Sequence, residues 1–299
     1  MRDMPSIHYI IGTVFALLAG VSTYIGLAIE KKAVNKIPKD NRSKGFLKIL
    51  LKSRLWVLGI FIHIGLGTVF FIIAQYMIGP ALVPGIMISG LVVLIIAASK
   101  IVGEKFTLLD IAGILMLVIG AIFIAASQLV IDSSKINLAD KKIIFHIFSF
   151  SFLILGLWLL SNLISSKSIK YKALFKGLAA GFPYCIGNFW ITVFYASMMP
   201  VFKGNSSSIL VFFLIISIVI LIVSNIFGIT EIQSALKCGE VGYVIPIQQI
   251  PVQITPIFYF YYVFMLKTPG NNSLIWILIG MVLIIIGGFM LGKKQQALT

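Results

Sequence analysis

The stretch Val241-Gly-Tyr-Val-Ile-Pro-Ile-Gln-Gln-Ile-Pro-Val-Gln-Ile-Thr-Pro256 gathers polar groups inside an apolar run. Pro246, Pro251 and Pro256 carry no N–H, so a helix here releases the carbonyls of Gly242, Ile247 and Val252 as acceptors. Free carbonyls are costly in hydrocarbon and must face protein or a hydrated cavity. Gln249 and Gln253 stand four residues apart on one helical face, with Gln248 and Thr255 beside them. Amides supply donors and acceptors together without the larger cost of an intramembrane charge. The chemistry they imply is recognition of a polar solute or a hydrated cation. A second candidate region holds Pro80, Pro84 and Ser89, where the prolines are expected to kink the start of another apolar run. Tyr24, Gln75 and Asn188 complete the candidate binding set. Ser22, Thr23 and Asn225 read as polar glue between helices.

Groups that break bonds are scarce. His8, His63 and His146 are far apart, with no HExxH spacing, no P-loop and no Rossmann glycine cluster. His63 sits well inside an apolar run, where a hydrogen bond to a neighbouring helix is the plain reading and ligand or proton-relay duty the alternative. Cys185 and Cys238 form neither a disulfide framework nor a CxxC pattern. Glu30, Glu104, Asp110, Glu231 and Glu240 fall near run ends. Glu104 with Lys105, and Glu240 near Lys237, read as solvated end charges, and Glu231 as lining a vestibule. With no acid at mid-membrane, strong proton coupling is not expected. Nor is an enzyme, a cofactor or a nucleic-acid partner, and which groups would ligate a metal stays open.

The elements that must position these residues follow from composition. Of 299 residues, 60% are apolar and 11% charged, against about 25% charged in soluble domains. Runs at 7–30, 54–77, 80–101, 108–131, 143–165, 174–198, 207–230, 242–266 and 273–292 are each long enough to span a bilayer. The first is too long for the apolar region of a signal peptide and is read as a true span. The fold class is therefore an all-α integral membrane protein of about nine transmembrane helices. Eighteen Lys and Arg fall on one side of the alternation and six on the other, which puts the N-terminus outside and the C-terminus in the cytoplasm. The formal charge of +15 is read as orientation, and the basic segment from Lys36 to Lys52 either as a contact with the anionic surface of the lipid bilayer or as a solvated loop.

Pro84, Gly113 and Gly120 recur as Pro251, Gly280 and Gly287, each 167 positions later. The alternation gives the two halves opposite directions, which predicts an inverted repeat. The expected division is a first repeat of four helices at 1–131, an external linker at 132–142 and a second repeat of five helices at 143–299.

Tyr9-Ile-Ile-Gly12, Gly26-Leu-Ala-Ile-Glu-Lys-Lys-Ala33, Leu55-Trp-Val-Leu-Gly59, Gly79-Pro-Ala-Leu-Val-Pro84, Gly103-Glu-Lys105 and Gln233-Ser-Ala-Leu-Lys237 resemble the NIPA-type magnesium transporters of the drug/metabolite transporter (DMT, EamA-like) superfamily. The resemblance covers about residues 9–292 and implies inverted repeats of about five helices that alternate a central site between the two faces. The chain departs from that pattern at Ala28-Ile-Glu30 and in its three prolines and three glutamines around Pro246. The expectation is an alternating-access secondary transporter in the cell (plasma) membrane, admitting a homodimer. Its cargo is Mg2+ or another divalent cation, or alternatively a small polar or amphiphilic metabolite. The remaining alternative is a non-transporting scaffold that binds lipid through its basic loop.

Overall fold

A computed structural model describes residues 6–38, 45–78, 83–127, 129, 131, 133, 136–204, 207–268 and 270–298. Nine long helical segments account for most of them. They are α1 (Ser6–Asn35), α2 (54–78), α3 (Val83–Val102), α4 (Leu108–Ala126), α5 (Lys141–Lys167), α6 (Lys172–Phe202), α7 (Ser208–Cys238), α8 (Val241–Phe258, continued by a π turn at Tyr259–Val263) and α9 (Ser273–Leu298). A short helix, Phe46–Leu51, follows α1. No strand occurs among the described residues.

Eight of these helices are long and apolar enough to cross a membrane, which makes the chain a multi-pass integral membrane protein. The helix outside that count is α8, the eighth of the nine expected spans. Its 18 residues and five-residue π turn extend about 35 Å, so composition and not length sets it apart. Three glutamines and three prolines dilute its apolar residues. Every residue from Val241 to Gln248 is buried, so protein surrounds this part of the helix. The helical pattern runs through Pro246, Pro251 and Pro256 without a break.

Local chemistry explains the boundaries. Thr107 and Asp110 form a capping box at the start of α4: Asp110 N–H donates to the Thr107 hydroxyl, and Thr107 N–H donates to the Asp110 carboxylate at 2.7 Å. Asp140 caps α5 by accepting from Lys142 N–H at 2.8 Å. Gly103 ends α3 with φ of 84°, a left-handed conformation that glycine adopts without steric cost. Pro84 lies in the first turn of α3, where no intrahelical N–H is needed. The α-helical pattern of α3 is interrupted by a 3-10 turn at Ile88–Gly90. Pro80 lies outside the described residues.

The chain packs as two compact units: Met1–Gln128 with Leu236–Pro246 and Ile275–Thr299, and Leu129–Ala235 with Ile247–Leu274. In the first, α1 packs on α2 and α3, and α3 on α4. In the second, α5 packs on α6 and on the π turn of α8. Phe150, Phe189, Trp190, Phe213, Tyr259 and Phe264 form its aromatic core.

Glycine contacts inside the units follow a repeated pattern. On α1, an added Cβ at Gly20 would stand 2.5 Å from the Met87 carbonyl oxygen; on α6, one at Gly181 would stand 2.5 Å from that of Gln248. Gly26 abuts the backbone nitrogen of His63, and Gly187 the hydroxyl of Ser224. Gly67 abuts the Thr23 hydroxyl, and Gly228 the Tyr184 ring. Each residue of the second set lies 161 positions after its counterpart. On this register Pro251 stands where α3 has Gly90, and not where it has Pro84. The glycines of α4 and α9 keep the expected interval of 167. Gly120 meets Ile284 as Gly287 meets Leu117, and Gly113 meets Leu291 as Gly280 meets Ile124.

Candidate functional site

The second unit holds the glutamines. Gln248 and Gln253 on α8 are buried, as is Thr255, whereas Gln249 is half-buried. The Gln248 side-chain oxygen is enclosed without a hydrogen-bond donor among the described residues. A buried amide oxygen with no donor costs about 1–3 kcal/mol, so a position holding one has something to gain from a ligand or a water. Gly181 permits this placement, because its missing Cβ lets α6 press on the Gln248 carbonyl and the Pro251 ring. Thr255 donates to the carbonyl of Pro251 and lies 3.3 Å from the Cys185 sulfur. Asn188 is half-buried on α6, three residues after Cys185.

The other candidates belong to the first unit. Tyr24 is buried, its ring against Gly90, directly after Ser89. Ser89 donates to the Ile86 carbonyl at 2.6 Å, which ties it into the 3-10 turn. Gln75 is half-buried on α2. Within each unit the structure thus gathers part of the expected set: Gln248 and Thr255 with α6, and Tyr24 with the Ser89–Gly90 turn.

Several charged groups occupy places that the sequence reading did not give them. Glu104 is buried, and its two carboxylate oxygens accept the N–H groups of Val241 and Gly242 at 2.7 and 2.9 Å, capping α8. It is not a solvated end charge. Burial is the first cause holding its carboxyl above the ordinary carboxylate range, and the charge of Glu240 adds to it. The N–H groups of Gly242 and Val241, and Lys31, act in the opposite direction. Lys31 caps the end of α7, donating to the carbonyls of Leu236 and Gly239 at 2.5 Å each. The two residues grip the α7–α8 turn from both sides.

Glu231 is likewise buried. One carboxylate oxygen accepts from Trp158 and Asn162 at 3.1 Å each, and the other lies 3.4 Å from the Lys176 ammonium. Glu30 is wholly buried on α1, and its carboxylate lies 2.9 Å from Nδ1 of His63 on α2. The expected hydrogen bond from His63 to a neighbouring helix is present, but its partner is an acid. Gly26 and Gly59 were the legible signal. A Cβ at Gly59 would stand 2.7 Å from the Glu30 side chain, and one at Gly26 would stand 2.7 Å from that of His63.

Comparison with known proteins finds no matching family model, no matching curated protein and no matching solved structure.

Proposed function

We propose that the chain is an alternating-access secondary transporter of the drug/metabolite type, with its N-terminus outside and its C-terminus in the cytoplasm. The observation that carries this reading is α8. It is a helix with buried Gln248 and Gln253, an amide oxygen lacking a donor, and prolines that free further acceptors. The helix passes from one compact unit to the other at Pro246–Ile247. The contacts repeated at 161 and 167 positions support an inverted repeat pairing α1–α4 with α6–α9, with α5 as the additional helix.

The donor set suits a neutral polar solute or a cation that keeps its water. Among the described residues no group of three or more His, Cys, Asp and Glu is assembled. Mg2+ dehydrates reluctantly, so it would meet amides and carbonyls through its shell. A potential of about 100 mV, inside negative, contributes about 4.6 kcal/mol to divalent uptake.

The test is flux into proteoliposomes under an imposed inside-negative potential, comparing Mg2+ with amino acids and small metabolites. Gln248→Leu and Gln253→Leu are run beside the wild type. Saturable uptake lost in the variants, with unfolding behaviour retained, is the expected result. No flux of any solute would discard transport in favour of the scaffold reading.

A further inference from the structure

Helices α1 and α2 bring an acid and an imidazole together inside two spans, Ile10–Asn35 and Arg54–Gln75. His63 is near the middle of its span. The Glu30 side chain is fully buried and that of His63 is 12% exposed. The backbone of α2 widens into a π turn at Phe61–Leu66, with His63 inside it. Single π turns of this kind recur at functional sites.

The second unit provides an internal control. Its α6–α7 crossing repeats the α1–α2 crossing, with Gly187 and Ser224 standing for Gly26 and His63. The position matching Glu30 is Ile191. The crossing therefore packs without an acid or an imidazole, and packing does not account for the pair. An intramembrane ionisable pair is costly and typically marks an ion or proton path.

We infer that Glu30 and His63 form a proton-binding site within the membrane. Without the proton, the two side chains are a carboxylate and a neutral imidazole, together carrying −1. Taking one proton from water places it between Oε1 and Nδ1 and brings the net charge to zero. Elements packed on α1 carry other charged groups. Lys32, Arg54, Lys100 and Lys105 are exposed, Lys31 is engaged by Leu236 and Gly239, and Glu104 by Val241 and Gly242. A role for this proton in coupling rests on the transport reading; the site itself does not.

The chain has three histidines, so nitrogen-15 histidine labelling in lipid nanodiscs resolves them. The ring signals of His63 are followed from about pH 5 to 9 in the wild type and in Glu30→Gln, with His63→Ser for assignment. Removing the carboxylate is expected to displace the His63 curve by about one pH unit or more, a tenfold change in proton affinity, and to leave His146 unchanged. Glu30→Asp, which keeps the charge, gives a smaller displacement and carries the comparison if the glutamine variant does not fold. Identical curves in wild type and variant, or a wild-type His63 that never titrates, would overturn the inference. No solute is involved, so the outcome is independent of transport. A displaced curve with no flux retains the site and discards the transporter, and flux with identical curves does the reverse.

Discussion

Gly120 on α4 and Gly280 on α9 face each other so closely that a Cβ on either would stand 2.6 to 2.7 Å from the other's carbonyl oxygen. Gly113 and Gly287 meet in the same way, with corresponding distances of 3.1 and 2.6 Å. Two helices in such backbone contact gain dispersion along their whole length, which is the main attraction available where the surrounding solvent is itself apolar.

This contact predicts a sharp position dependence. Gly280→Ala must displace backbone and is expected to lower stability by about 1–3 kcal/mol. Gly156→Ala on α5, where an added Cβ meets nothing within 4 Å, is expected to be neutral or to stabilise by up to about 1 kcal/mol through helix propensity. Unfolding of the two variants in the same detergent is the comparison. Equal losses would remove the special status of the α4–α9 contact.

Glu104 predicts a pH dependence with a definite sign. Burial first, and then Glu240, raise its folded-state carboxyl above the unfolded value, against the N–H groups of Gly242 and Val241 and the charge of Lys31. The folded state therefore holds the proton longer, and stability falls as pH rises from the ordinary carboxylate range through the raised value. Glu104→Gln abolishes this titration at the cost of one N–H acceptor. The stability of the variant relative to wild type should rise with pH through that window and then level off. A constant difference from about pH 4 to 8 would contradict it.

Lys176 and Glu231 predict non-additivity. Lys176→Met leaves the Glu231 carboxylate with Trp158 and Asn162 as its partners in this network. A stranded buried charge costs about 3–5 kcal/mol when fully enclosed; side-chain exposures of 22% and 11% reduce that here through solvent screening. Adding Glu231→Gln removes the charge, so the double variant should be more stable than Lys176→Met alone. The matching positions in the first unit, Phe15 and Phe70, form an aromatic pair with centroids 5.9 Å apart, so no ion pair is required by this helix crossing. A double variant no more stable than Lys176→Met would refute the account.

Apolar run length and the scarcity of charge determined the helical, membrane-spanning class from the sequence alone, because a bilayer of fixed thickness leaves few alternatives. The recurrence of Gly113 and Gly120 as Gly280 and Gly287 was legible too, since each glycine removes a side chain at a fixed place. Gly20, Gly26 and Gly67 recurring as Gly181, Gly187 and Gly228 carried the same information at a different interval. What only the tertiary structure decided was partnership. Glu30 and Glu104 look alike in sequence, each acid followed by lysine near the end of an apolar run. One meets an imidazole on the next helix and the other caps the backbone of a helix some 137 residues away. A side chain's charge is local, but the groups that neutralise it are set by which helices touch. That is fixed by packing between distant segments and not by any pattern within one of them.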